Sequence, residues 1–286
     1  QSFSDDNFIH TVSPRKPVGA AAFTTLGKTD KTQQVTYFDG LGRPVQTTEI
    51  GHGRDGADIV TPVEYDVFGR QQKDYLPYAL VNSTTSYPRI ALTASQTSLG
   101  SLYNTAKYDY TTKPFAEKQL EPSPLNRVLK QAAPGVSWEM GSGHEVKLEY
   151  LANEAADVKF YKAAAAWNST AELYDISISD AGSYSAGELY KYITYDENTA
   201  ASPSEGAGTT IEFKNKEGQV VLKRSFGTVG GGTVNEKHDT YYVYDIYGNL
   251  TYVLPPKAEG TITAAVLNDL YRPMCGSAGA AAALSS

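Results

Sequence analysis

The sequence predicts a mainly β protein built from repeated antiparallel β-hairpins with a few short helices. Three observations carry this expectation. Tyrosine is used heavily, 21 residues against 9 Phe and 2 Trp, and its amphipathic ring suits a pleated, half-buried surface. Gly (25 residues) and Pro (14 residues) punctuate many turns. Short runs rich in β-formers recur on both sides of an Asp-x-x-Gly turn, the pattern of a hairpin.

The first such unit runs from Gln34 through Tyr37 and Phe38 into Asp39-Gly40-Leu41-Gly42, and a strand resumes from Arg43 to Ile50. Tyr65-Asp66-Val67-Phe68-Gly69-Arg70 repeats it without the inserted residue, and Tyr244-Asp245-Ile246-Tyr247-Gly248-Asn249 repeats it with Asn in place of Arg. Weaker copies begin at Tyr108-Asp109 and Tyr195-Asp196, while Asn215-Lys216-Glu217-Gly218 keeps only the turn logic. Gly42 and Gly69 lie 27 positions apart, and Gly218 and Gly248 lie 30 apart. Repetition at such a period marks stacked architectures.

Each position has a physical reason. An Asp at the turn entry accepts backbone N–H bonds in an Asx-type turn, and a Gly at the exit takes positive φ at little steric cost. Gly42, Gly69 and Gly248 are therefore predicted in the left-handed region. The Tyr ahead of each turn stacks on a neighbouring hairpin, and the Arg after it pairs with the turn Asp or lies over a ring.

Around this region the pattern weakens. Residues 1–30 lack a sustained period and read as an irregular leader, with a capacity to pair with the sheet that follows. The repeat region is expected over 31–270, irregular between about 110 and 190, and 271–286 is a low-complexity, linker-like tail. Thr93-Ala94-Ser95-Gln96 resembles a capping box opening a short helix towards Tyr103, and 263–270 reads as a second helix. The alanines between Ala163 and Leu173 suit a helix or a loop equally. A start at Gln1 is as compatible with a removed export signal as with trimming.

Composition excludes several classes. The net charge is −7 and the basic residues are scattered, so there is no stripe to neutralise phosphates and a nucleic-acid partner is not expected. No apolar run reaches the ~18 residues of a membrane-spanning helix. The one cysteine, Cys275, precludes an internal disulfide framework and a multi-cysteine metal site. The four histidines are widely separated, and His144-Glu145 lacks the second His of a helical zinc motif. No metal, cofactor or catalytic residue is assigned. Asp39, Asp66 and Asp245 already have a turn-forming reason to exist, which weakens a paired-carboxylate hydrolase reading. Gly230-Gly231-Gly232 lacks the Lys-Ser or Lys-Thr of a phosphate cradle.

The Tyr-Asp-x-x-Gly-Arg units resemble the YD-repeat family, which includes the bacterial Rhs proteins and the teneurins. The ordered succession of Asp6 to Arg15, Val35 to Pro44 and Asp74-Tyr75-Leu76-Pro77-Tyr78 resembles the N-terminal region of Bacteroidota Rhs-type proteins, as does Leu254-Pro255-Pro256-Lys257. The resemblance spans roughly residues 5–270. It implies a β-sheet strip wound into a shell, with a C-terminal module, often a toxin, carried inside or attached. It further implies export, by the type IX route in Bacteroidota, and an extracellular or cell-surface location. The implied partners are the remainder of a longer chain, an encapsulated cargo or an export machine. A non-enzymatic structural segment is thus expected. Two other readings stand beside it: a lectin-like module using tyrosine faces to stack on sugars, and a polysaccharide-active hydrolase.

Overall fold

The computed structural model describes residues 2–81, 86–227 and 235–256. The fold is mainly β and antiparallel, as expected. The chain divides into two compact units, 1–145 and 146–286, whereas the sequence reading placed its boundaries at 30 and 270.

The first unit contains β1 (Ser2–Phe3), β2 (Phe8–Pro14), β3 (Lys31–Phe38), β4 (Pro44–Glu49), β5 (Asp58–Pro62), β6 (Lys73–Tyr75), β7 (Tyr78–Leu80), β8 (Ser86–Tyr87), β9 (Phe115–Leu120) and β10 (Val128–Ala132). Strands β2, β3, β4, β5 and β7 lie side by side in that order, all antiparallel, and β9 pairs with both β6 and β10. Burial follows the two-residue period of a strand: Gln33, Val35 and Tyr37 face inward on β3, and Asp58, Val60 and Pro62 on β5. Val35, Tyr37, Ile50 and Tyr87 form one core cluster, and Val60, Tyr75, Tyr78 and Leu99 another. Fully buried Tyr37 donates its hydroxyl to the Tyr87 carbonyl and accepts the Ser4 N–H. Buried Gln46 is likewise satisfied, donating to Thr48 Oγ1 and the Pro88 carbonyl and accepting the Ile90 N–H. Such pairing is what makes a polar side chain tolerable in a core.

The 1–30 leader has the expected capacity to pair with the sheet that follows, and its regular part is β2, which pairs with β3 from Phe8↔Tyr37 to Pro14↔Lys31. Its side chains are mostly exposed, so backbone bonding holds the strand and no apolar alternation announces it. The helix towards Tyr103 exists as α2 (Leu92–Tyr103, following the single-turn α1, Ala20–Phe23), but no capping box opens it. Ala91 occupies the cap position without a side-chain bond. Gln96 instead donates to Tyr75 Oη, and Ser95 bonds Tyr78 Oη, because this face of the helix is packed on the sheet. Tertiary burial of Leu99 and Ser95 holds the helix in place of a cap.

The second unit contains β11 (Val146–Ala152), β12 (Lys159–Asn168), β13 (Leu173–Ser183), β14 (Tyr190–Tyr195), β15 (Thr209–Lys214), β16 (Val220–Gly227), β17 (Glu236–Tyr244) and β18 (Leu250–Leu254). Six strands form an antiparallel run in the order β11, β14, β15, β16, β17, β18. Between β11 and β14 the chain makes the two-stranded ribbon β12–β13. Its buried Tyr161, Ala163 and Ile178 join a core with Ile193, Ile211, Phe213, Leu222, Tyr241 and Val243. The alanine stretch from 163 is therefore strand, not helix. Small side chains at Ala163 to Ala166 register against Ile178 to Asp175, and burial there follows period 2. The segment 110–190 holds the five strands β9 to β13, which make up about half of it. The predicted helix at 263–270 and the tail 271–286 lie outside the described residues.

Candidate functional site

The three clearest motif copies fold into one turn, atom for atom. Asp39 Oδ1 accepts the N–H groups of Leu41 and Arg43, each at 2.9 Å, and its Oδ2 accepts Arg43 Nε at 2.8 Å. Asp66 does the same with Phe68, Arg70 and Arg70 Nε at 2.9, 2.9 and 2.8 Å. Asp245 binds the N–H groups of Tyr247 and Asn249 and the Asn249 amide at 2.9, 2.9 and 3.0 Å. Gly42, Gly69 and Gly248 close the turns at φ 76°, 77° and 83°, as predicted. Asn215 to Gln219 forms the same turn with neutral side chains: Gln219 donates its N–H to Asn215 Oδ1, and the Asn215 amide donates to Gln219 Oε1.

These bonds set the charge state of the turns. Backbone bonding to Arg43 leads the causes that hold Asp39 below the usual carboxylate range. At Asp66 partial burial opposes this, and the bonds from Arg70 and Phe68 outweigh it. For Asp245 the leading cause is the Asn249 amide. Each carboxylate is thus held ionised by its own turn and is unsuited to proton donation near neutral pH.

Successive turns are also tied to each other. The Arg43 guanidinium lies 4.3 Å from the centroid of the Tyr65 ring, and Tyr65 Oη donates to the Pro44 carbonyl at 2.9 Å. Arg43 Nη1 occupies the space beside Gly69, 2.7 Å from where a Cβ would stand. Arg70 in turn donates to Asn126 Oδ1 at 3.0 Å. Asn126 has φ 52° and belongs to an expanded turn from Glu121 to Arg127, where Glu121 Oε2 accepts Arg127 Nε and Nη2 at 3.0 and 2.8 Å. The second unit repeats the link. Gln219 donates to the Gly248 carbonyl at 3.0 Å, and Tyr244 Oη to that of Val220 at 3.2 Å. The residue after Gly42, Gly69 and Gly218 is therefore the rung that reaches the left-handed residue of the next turn.

Not every motif residue joins this ladder. Tyr37, displaced by the inserted Phe38, points into the core. Tyr108 and Asp109 were expected in a hairpin but lie in a 3-10 turn, with Asp109 at φ 51° and Tyr108 packed on Tyr103. The element ahead of them is the helix α2, not a strand, so no hairpin closes around this turn although β9 follows at Phe115. Asp196 accepts the Asn198 N–H, but its partner glycine is the distant Gly208. Conversely, Glu121, Asn126 and Arg127 went unrecognised, because two extra residues hide the Asp-x-x-Gly-Arg spacing. The acid, the left-handed Asn and the Arg directly after it were the available signal.

Two outcomes are expected from this geometry. Val in place of Gly69 puts a β-branched residue at φ 77° and a Cβ against Arg43, and lowers stability by about 1–3 kcal/mol. A urea titration that leaves the midpoint unmoved would contradict it. Glu121 is brought to about 2 by the Arg127 guanidinium first and Ser123 second. A depressed folded-state value means this stabilisation is present above the unfolded value near 4.5 and is lost as pH falls towards 2. Carboxyl NMR should show Glu121 titrating well below the exposed glutamates; a midpoint near 4.5 would sink the assignment.

A second charged cluster is buried in the second unit. Arg224 donates Nε and Nη2 to the two oxygens of Asp239, both at 2.7 Å, and Nη1 to Asp157 at 2.9 Å. Lys191 lies 3.6 Å from Asp157 and 2.6 Å from Glu205. One guanidinium thus bridges Asp157 and Asp239, and the contacts of both carboxylates with it are internal to the fold. Among the described residues, no group of three or more His, Cys, Asp or Glu is arranged to hold a metal, and no helix is long and apolar enough to cross a membrane.

The sequence profile of a domain of unknown function (DUF6443) matches residues 10–152, half of the chain. No curated protein matches it. Among solved structures, the chain is similar to one in the crystal structure of TcdB2-TccC3-Cdc42, at 16% identity and TM-score 0.45, and to one in that of TcdB2-TccC3, at 14% identity and TM-score 0.43. Each alignment covers 82% of this chain and 10% of the other, so the chain spans about a tenth of the length of those it resembles.

Proposed function

The chain belongs to the DUF6443 family, and from that premise we propose that it is a non-enzymatic structural segment of a longer, exported YD-repeat (Rhs-type) protein, part of a β-shell that carries or presents a C-terminal effector. The observation that carries this reading is the ladder of turns. The motif residues are consumed in building turns and in joining each turn to the next, which is the work of a scaffold that grows by repetition. Asp39, Asp66 and Asp245, the carboxylates a hydrolase reading would draw on, are held ionised by their own turns. On this proposal the partners are the rest of the parent chain and its cargo, with an export machine met in transit, and the location is extracellular or at the cell surface.

The test is limited proteolysis of the parent protein. A C-terminal module enclosed by the shell should survive protease while it remains enclosed, and should be digested once the shell is opened by denaturant. Digestion of the module at the same rate in the intact parent and as a separate domain would overturn the proposal.

A further inference from the structure

A cleft of about 410 Å³ opens beside the 215–219 and 245–249 turns of the second unit, within the size range of small-ligand sites. Its wall is aromatic: Phe160, Tyr184, Tyr242, Tyr244 and Tyr247 line it, with Glu217 at the rim. Phe160 and Tyr184 pack with centroids 4.7 Å apart and ring planes tilted by 47°. The Tyr244 hydroxyl is used within the fold, bonding the Val220 carbonyl. The hydroxyls of Tyr184, Tyr242 and Tyr247 and the carboxylate of Glu217 have no hydrogen-bond partner among the described residues. No Lys or Arg lines the cleft.

We propose that this cleft binds an alkylated ammonium group, held by the faces of its tyrosines and the carboxylate of Glu217. The negative face of an aromatic ring attracts a cation, most strongly where the site is partly dry, and a nearby carboxylate supplies the counter-charge. A phosphate or carboxylate ligand would meet no positive group here. The Tyr184 phenol is pushed up to about 12 by burial first, which disfavours any charge, and then by Glu188 and Glu217, whose negative field favours a cation. A neutral sugar would also stack on such rings, but it gains no charge attraction from Glu217. The turn geometry explains why the cleft is preformed. Asn215, Gln219 and Asp245 spend their side chains holding the two turns, and Gln219 ties one to the other, so Glu217 and Tyr247 are presented from a fixed frame.

Titration calorimetry on the whole chain with choline and its uncharged isostere 3,3-dimethyl-1-butanol tests this. Choline should bind saturably at one site, and the isostere about tenfold more weakly or worse. Glu217→Gln and Tyr247→Ala, both at exposed turn positions that leave the fold intact, should each weaken choline several-fold, while the remote surface change Glu236→Gln should not. Nα-acetyl-lysine amide separates the two sources of the group. Binding comparable to choline indicates a lysine side chain of a partner, and much weaker binding indicates a small quaternary ammonium. Equal affinity for choline and the isostere, absence of saturable choline binding, or binding of maltotriose without choline would each overturn the proposal.

Discussion

Replacing Arg224 with Met is expected to destabilise the second unit by about 3–5 kcal/mol, because removing one partner of a buried ion pair strands the other charge. The Arg224 and Asp239 side chains are only 4% and 3% exposed, so water cannot take over the lost bonds. Asp239 would lose two charge-assisted contacts of 2.7 Å, and Asp157 would lose its contact at 2.9 Å. Burial alone would make Arg224 easier to deprotonate, yet the bonds from Asp239 and Asp157 raise it instead, so the cation is a fixed part of the fold. A chain of two units need not unfold in one step, so the measurement should be local. Hydrogen exchange at the paired amides of β16 and β17, from Leu222 to Tyr241, should accelerate by several orders of magnitude. Exchange at the wild-type rate in Arg224→Met would show that the cluster contributes nothing to holding these strands together.

Phe213→Ala is expected to cost a similar amount, about 3–5 kcal/mol, through lost transfer free energy and the cavity left behind. Phe213 is 0% exposed and lies at the centre of the sheet, paired with Lys191 on β14 and Leu222 on β16. Its ring also carries the cluster, since Lys191 Nζ and Arg224 Cζ each lie 5.6 Å from the ring centroid. Truncation therefore removes an apolar block and a face that two cations share. The effects of Phe213→Ala and Arg224→Met should accordingly fail to add. Hydrogen exchange on both single variants and the double variant measures this. Strict additivity would mean that the ring and the guanidinium act independently, and Phe213→Ala exchange at the wild-type rate would remove the ring from the core account.

The turns were the most legible part of the molecule. Asp39, Asp66 and Asp245 each bind N–H groups two and four residues ahead, and the glycine that permits this lies three residues ahead. The whole interaction fits inside a five-residue window, so it leaves a spacing that can be read directly. The expanded turn at 121–127 escaped because its chemistry is conserved in kind while its length is not. A longer Glu side chain and a left-handed Asn126 let the same acid and Arg contact close over two more residues. The pairing of the leader was expected but the bounds of β2 were not, because backbone bonding, which is blind to side-chain type, holds a strand whose faces are both largely exposed. The ribbon β12–β13 was obscured by its alanines, whose helix propensity is overridden by pairing and by burial of Tyr161, Ala163 and Ile178.

What the sequence determined by itself is therefore local: strand periodicity, the turn positions, the sign of φ at three glycines and the mainly β class. What only the tertiary structure decided is which of these pieces meet. Arg43 reaches Tyr65 and Gly69, and Gln219 reaches Gly248, one repeat on, but Arg70 reaches Asn126 across a separation that no spacing rule encodes. Arg224, unremarkable in the chain, becomes the centre of a buried charge cluster only once β16 is flanked by β15 and β17 and residue 157 is brought against it. The physical reason is range. A hydrogen bond to a near neighbour in the chain depends on few torsions and survives in the pattern of residues, whereas burial, charge pairing and cleft formation depend on distant segments that meet only in the folded state.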